Sequence, residues 1–73
     1  MDGSVAIGIR KIIAEKGMRQ KVVAERAGFT DQQFSDMLNG RKVIRAEYVL
    51  PIAKALMVDI TELFSAGQND GEV

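Results

Sequence analysis

The chain has 73 residues, 47% of them hydrophobic and 27% charged, with ten basic and ten acidic side chains and no net charge. This is material for one small globular domain, neither two domains nor a disordered chain. Cysteine and histidine are both absent, which excludes disulfides, thiolate chemistry and the usual ligands of a structural zinc site.

No apolar run approaches the roughly 20 residues that span a bilayer, and Met1-Asp2-Gly3-Ser4 carries no basic signal region. A cytoplasmic protein without membrane contact is expected. The charge is unevenly spread. All ten basic residues lie between Val5 and Phe64 beside seven acidic ones, a surplus of three, while Asp2, Asp70 and Glu72 supply the remaining acid. A domain this small buries only about 60% of its unfolded surface, so its core must be compact.

Residues 1–4 read as a flexible N-terminus. A first helix is expected from about Val5 to Lys16, because Val5, Ile9, Ile12, Ile13 and Lys16 follow one helical face. Gly17 stands where a left-handed cap is needed. A second helix runs from Arg19 or Gln20 to Ala27, with Val23, Ala24 and Ala27 as a stripe of small side chains, and Gly28 ends it. The third begins at Thr30, whose hydroxyl suits an N-cap. Gln33 completes a capping box, and Asp31 favours the positive end of the helix dipole. Phe34, Met37 and Leu38 face inward, and Asn39-Gly40 closes the helix. Arg41 to Tyr48 reads as a connection. Pro51 is welcome at a first helical position but costs about 3 kcal/mol further inside, so the fourth helix is expected from Leu50 or Pro51 to Met57, with Ile52, Ala53 and Leu56 inward. Asp59 and Glu62 fit a capping box for a short fifth helix, Ile60 to about Ser65, carrying Ile60, Leu63 and Phe64. Residues 66–73 read as a flexible acidic tail. The expected class is all-α, five short helices forming a domain over residues 5–65.

The second and third helices are separated only by Gly28-Phe29-Thr30, the tight link of a helix-turn-helix unit. Phe29 is placed to plug their crossing. The outer face of the third helix carries Asp31, Gln32, Gln33, Ser35 and Asp36. Gln can pair bidentately with adenine, Ser serves several bases, and Asp accepts from cytosine N4. Gln20, Lys21, Arg41, Lys42 and Arg45 surround that face and suit phosphates. Polar residues on an exposed helix are also the norm, so these features fit a general interaction module as well as a DNA reader.

The stretch from Arg19 to Arg41, RQKVVAERAGFTDQQFSDMLNGR, resembles the lambda-repressor-like (Cro/C1, or XRE) helix-turn-helix family, and Ile52 to Phe64 looks like that family's last two helices. The resemblance covers about Val5 to Phe64 and implies the compact five-helix lambda-repressor-like fold. It implies Val23, Ala24, Gly28, Phe34 and Leu38 as the structural core of the motif, and Asp31, Gln32, Ser35 and Asp36 as the positions that read bases in the major groove. Gln20 matches a phosphate-contacting glutamine, and Asn39, Arg41 and Lys42 match the loop that grips the DNA backbone. Four departures stand out. Arg19 replaces the usual Ser or Thr cap of helix two, at about 1 kcal/mol, recoverable if its guanidinium meets phosphate. Ile13 and Leu38 stand where many relatives carry a buried Arg–Glu pair. Met57 replaces the glycine that usually closes helix four. Asp31 and Asp36 put two carboxylates on the reading face.

The implied function is a sequence-specific DNA-binding transcriptional regulator, a small prokaryotic or phage-type repressor. It would bind double-stranded DNA as a homodimer on a palindromic operator with half-sites about 34 Å apart. Neither a cofactor nor a small-molecule ligand is expected, since 73 residues leave no room for a separate sensing domain. The alternative is a protein-interaction or antitoxin-like module on the same fold, which the neutral charge and the two carboxylates favour. An enzyme is not expected: there is no His or Cys to act as base or nucleophile, and Asp31 and Asp36 make no convincing acid–base pair. Helix five around Phe64 is the expected dimer surface.

Overall fold

The structure is a computed structural model that describes residues 4–70. Five helices follow one another: α1 (Ser4–Lys16), α2 (Gln20–Ala27), α3 (Asp31–Leu38), α4 (Ala46–Leu56) and α5 (Ile60–Asp70). The described residues contain no strand. The all-α, five-helix architecture expected from the sequence is the one observed. Of the expected flexible N-terminus only Ser4 is described, as the first residue of α1; residues 1–3, and residues 71–73 of the expected tail, lie outside the described residues.

Local chemistry sets most boundaries. Gly17, Gly28 and Gly40 all take positive φ, the conformation that turns the chain out of a helix and that a Cβ disfavours. At Gly28 (φ 91°) the left-handed cap sends its N–H back to the carbonyls of Ala24 and Glu25. Thr30 accepts from the Gln33 N–H at 3.0 Å while the Thr30 N–H donates to Gln33 Oε1 at 2.9 Å, the reciprocal pair of a capping box. Arg19 caps α2 with an extended backbone and no side-chain hydrogen bond, as its chemistry dictates.

The core draws on every helix: Ile9 and Ile12, Val23 and Ala24, Phe34, Met37 and Leu38, Val49, Ile52, Ala53, Ala55 and Leu56, and Leu63. No polar or charged residue is buried among the described residues. α1 packs chiefly along α5, and α2 lies between α3 and α4. Phe29 fills the helix-turn-helix crossing as expected, its ring 6.4 Å from Phe34 and edge-on to Tyr48 at 5.0 Å.

Two boundaries correct the sequence reading. α4 starts at Ala46, not at Leu50 or Pro51, and Pro51 lies inside it. Val49, Ile52, Ala53 and Leu56 recur at helical spacing and are all buried, and Tyr48 packs on Phe29. Burying a large apolar side chain is worth about 1.5–3 kcal/mol, enough to offset the one backbone bond that Pro51 denies to the exposed Glu47. The second correction is α5, which runs past Ser65 to Asp70. Residues 66–70 are helix and not tail. Ala66 packs against the core and Gly67 is buried, so the segment that reads as polar and glycine-rich is anchored by its small residues against α1.

Met57 closes α4 in the left-handed conformation, φ 62° and ψ 43°. It is the sole non-glycine residue with positive φ among those described. The turn keeps its hydrogen bonds: Met57 N–H donates to Lys54 O and Val58 N–H to Ala53 O, both at 3.0 Å. The strain therefore resides in the Met57 backbone itself.

Candidate nucleic-acid interface

The candidate surface is the outer side of α3 with the α2 start and the segment after α3. Phe34, Met37 and Leu38 bury one side of α3, which leaves the opposite side to solvent by helical periodicity. Asp31 and Gln32 are exposed there, and Ser35 and Asp36 are half-buried. The four expected base readers thus share one helical face beside a well-capped N-terminus. Arg19, Lys21, Asn39, Arg41, Lys42 and Arg45 are exposed, and Gln20 is half-buried at the first position of α2. Val23, Ala24, Phe34 and Leu38 are buried and Gly28 makes the turn.

Several of these polar groups are engaged with one another. Gln32 Nε2 donates to Asp36 Oδ1 at 3.0 Å, one turn along the helix. Arg41 Nη1 stands 3.8 Å from the same carboxylate oxygen. The Asp36 carbonyl accepts the N–H groups of Arg41 (2.8 Å) and Lys42 (3.2 Å), which folds the basic segment back onto the end of α3. Asn39 Nδ2 donates to Ser35 Oγ at 3.3 Å. Arg45 Nε pairs with Glu47 Oε2 at 3.4 Å; both side chains are mostly exposed, so the pair contributes about 0–1 kcal/mol and can yield to a phosphate. The side-chain ammonium groups of Lys21 and Lys42 have no partner among the described residues.

Arg10 is a residue that sequence reasoning missed. Its Nη2 donates to Leu38 O at 3.3 Å and to Asn39 Oδ1 at 2.7 Å, tying α1 to the end of α3. This tie supplies a polar link between the helices on which Ile13 and Leu38 carry only apolar groups. No local signal marks it, because Arg10 and Asn39 lie 29 residues apart. The shallow groove between α1 and α5, lined by Lys11, Ile12, Glu15, Glu62, Ser65 and Ala66, lies among different residues from the α3 face. Nowhere among the described residues do three carboxylates gather as a metal site would require. None of their helices is long and apolar enough to cross a membrane.

Comparison with known proteins adds three findings. The sequence model of the Cro/C1-type HTH DNA-binding domain matches residues 8–68. The comparison with curated proteins gives no match. The crystal structure of the clp gene regulator ClgR from C. glutamicum superposes with a TM-score of 0.85, at 18% identity, over 96% of this chain and 91% of that one. At that identity the likeness is one of fold.

Proposed function

The chain belongs to the Cro/C1-type helix-turn-helix DNA-binding domain family, a non-enzymatic class, and from that premise we propose that it is a sequence-specific transcriptional regulator, a small phage-type repressor. One observation carries this reading. α3 presents Asp31, Gln32, Ser35 and Asp36 on a single outward side, while Asp36 O gathers the N–H groups of Arg41 and Lys42 beside them. A helix of this width fits the major groove, where side chains reach base edges. Arg19, Gln20, Lys21, Arg41, Lys42 and Arg45 flank it and take the phosphates, which fixes the register of α3 without reading sequence. That ClgR, a gene regulator, has the same fold supports a regulatory role.

The chain acts in the cytoplasm on double-stranded DNA, without cofactor or small-molecule ligand. It binds as a homodimer to a palindrome, and repression is steric, with the bound dimer excluding polymerase. Ile60 and Phe64, exposed by 38% and 36%, form the apolar patch on α5 where the second copy docks. The alternative, a protein-interaction or antitoxin-like module on the same fold, is favoured by the zero net charge and by the carboxylates of Asp31 and Asp36.

Selection from a random-sequence duplex library at low and moderate salt separates the two. Enrichment of a palindrome is the expected result. A folded protein that enriches no sequence, even at low salt, overturns the regulator reading and leaves the protein-interaction one.

A further inference from the structure

Two outward side chains of α3 are each held by a polar group one turn along, and each of those groups is met by an arginine. Gln32 Nε2 donates to Asp36 Oδ1 (3.0 Å), beside which stands Arg41 Nη1 (3.8 Å). Ser35 Oγ accepts from Asn39 Nδ2 (3.3 Å), whose Oδ1 accepts from Arg10 Nη2 (2.7 Å). The chemistry of the partners fixes both amides. A carboxylate only accepts, so the nitrogen of Gln32 must face Asp36. A guanidinium only donates, so the oxygen of Asn39 must face Arg10 and its nitrogen must face Ser35.

We propose that Gln32 and Ser35 are the specificity-determining side chains of this face, while Asp36 and Asn39 are positioning residues that set which groups those two present to the bases. The proposal rests on the DNA-reading function above and assigns it in finer detail. With one N–H given to Asp36, Gln32 keeps its second N–H and its Oε1. That adjacent donor and acceptor match adenine N7 and N6, so Gln32 reads an A·T pair. Ser35 keeps its O–H to donate, since the Asn39 nitrogen cannot accept it, and so favours an acceptor edge: purine N7, guanine O6 or thymine O4. Asp36 reads no base. Its carboxylate is already engaged by Gln32 and Arg41, which explains how an acid sits on a face that must approach phosphates. Asn39, held between Arg10 and Ser35, is likewise a brace rather than a phosphate contact.

The test uses the duplex that the full chain enriches from a random library, with its set of single-base-pair variants, in competition binding. At one position per half-site the wild type should prefer A·T by about 10- to 100-fold. Gln32→Ala should abolish that preference. Asp36→Ala should abolish it at the same position, and the double variant should lose nothing further there, as coupled residues require. Asp36→Asn, which still offers Gln32 an acceptor, should retain most of the preference. Asn39→Ala should relax the position that Ser35→Ala relaxes. Unchanged low-salt binding to an unselected duplex, together with an unchanged melt, shows that each variant remains folded.

The proposal is overturned if Asp36→Ala keeps the A·T preference and loses a C·G preference elsewhere, since Asp36 would then read cytosine itself. It is also overturned if Asn39→Ala weakens all duplexes alike and flattens the salt dependence, as a phosphate contact would. Either outcome leaves the DNA-reading function standing. A wild type that enriches no duplex removes that function, and this division of labour with it.

Discussion

Gly8 of α1 and Gly67 of α5 meet where the two helices cross, with no side chain between them. A Cβ built on Gly8 would stand 3.1 Å from Gly67 N and would press still harder on the carbonyl oxygen of Leu63. Both obstacles are backbone and cannot swing aside. Glycine inside a helix normally costs about 1 kcal/mol relative to alanine, so Gly8→Ala would ordinarily stabilise. Here it should destabilise by about 1–3 kcal/mol, because α5 must move off α1. Urea unfolding checks the sign. A variant as stable as the parent or more so would show that α5 is not seated this closely.

That crossing explains why the end of α5 was not legible in the sequence. Ser65 to Asp70 carries a glycine and polar residues, which by propensity read as tail, and only the approach to α1 makes glycine the right residue. The start of α4 was hidden for the opposite reason. Pro51 is a strong local signal for a helix start, and it was outweighed by the buried row Val49, Ile52, Ala53 and Leu56. Where local chemistry and packing agree, the boundaries could be read directly: Gly17, Gly28 and the Thr30–Gln33 box all sit as expected. The α3 face was legible from its period. Its bracing was only half so. Gln32 and Asp36 are a helical pair at a spacing that sequence displays, whereas Arg10 reaches Asn39 through the fold alone.

Met57 holds φ 62° with its side chain 68% exposed. A left-handed residue with a Cβ costs about 1–2 kcal/mol, and Met57 has little burial to lose. Met57→Gly should therefore stabilise the domain by about 0.5–1 kcal/mol after the added freedom of the unfolded chain is counted. In a domain of this size that is a rise of a few degrees in Tm. A lowered Tm would mean that the Met57 side chain contributes packing that its exposure conceals.

Phe34 is fully buried and touches the ring of Phe29. It holds α3 on the core and so sets the tilt of the outward side proposed to read bases. Phe34→Ala should cost about 3–5 kcal/mol, a large part of the total stability of so small a domain. Thermal melting by circular dichroism should show a broad, early transition. A near-native melt would mean that the neighbouring side chains collapse into the space.

Lys42 and Gln32 should fail in different ways. Lys42 is exposed, has no ion-pair partner among the described residues, and is anchored through its N–H to Asp36 O. A phosphate contact of this kind acts on every sequence alike. Lys42→Ala should weaken selected and unselected duplexes by the same factor and lower the slope of log K against log salt by about one. Gln32→Ala should leave that slope unchanged and cost about 1–3 kcal/mol against the selected duplex alone. Titrations at several salt concentrations distinguish the two; an unchanged slope for Lys42→Ala would remove that residue from the phosphate set.

Arg19 joins stability to binding through one side chain. It occupies the N-cap of α2 without making a cap hydrogen bond, so the first N–H groups of α2 lack the side-chain acceptor that Ser or Thr would provide. Arg19→Ser should stabilise the free protein by about 1 kcal/mol. The same change removes a guanidinium from the edge of the proposed DNA-facing surface, so affinity should fall equally for selected and unselected duplexes, with a shallower salt slope. The two effects have opposite signs and are read by separate measurements, a melt and a salt titration. Gain of stability with unchanged affinity would make Arg19 a poor cap and nothing more. Gain of stability with lost affinity would show that the domain gives up a helix cap for a phosphate contact.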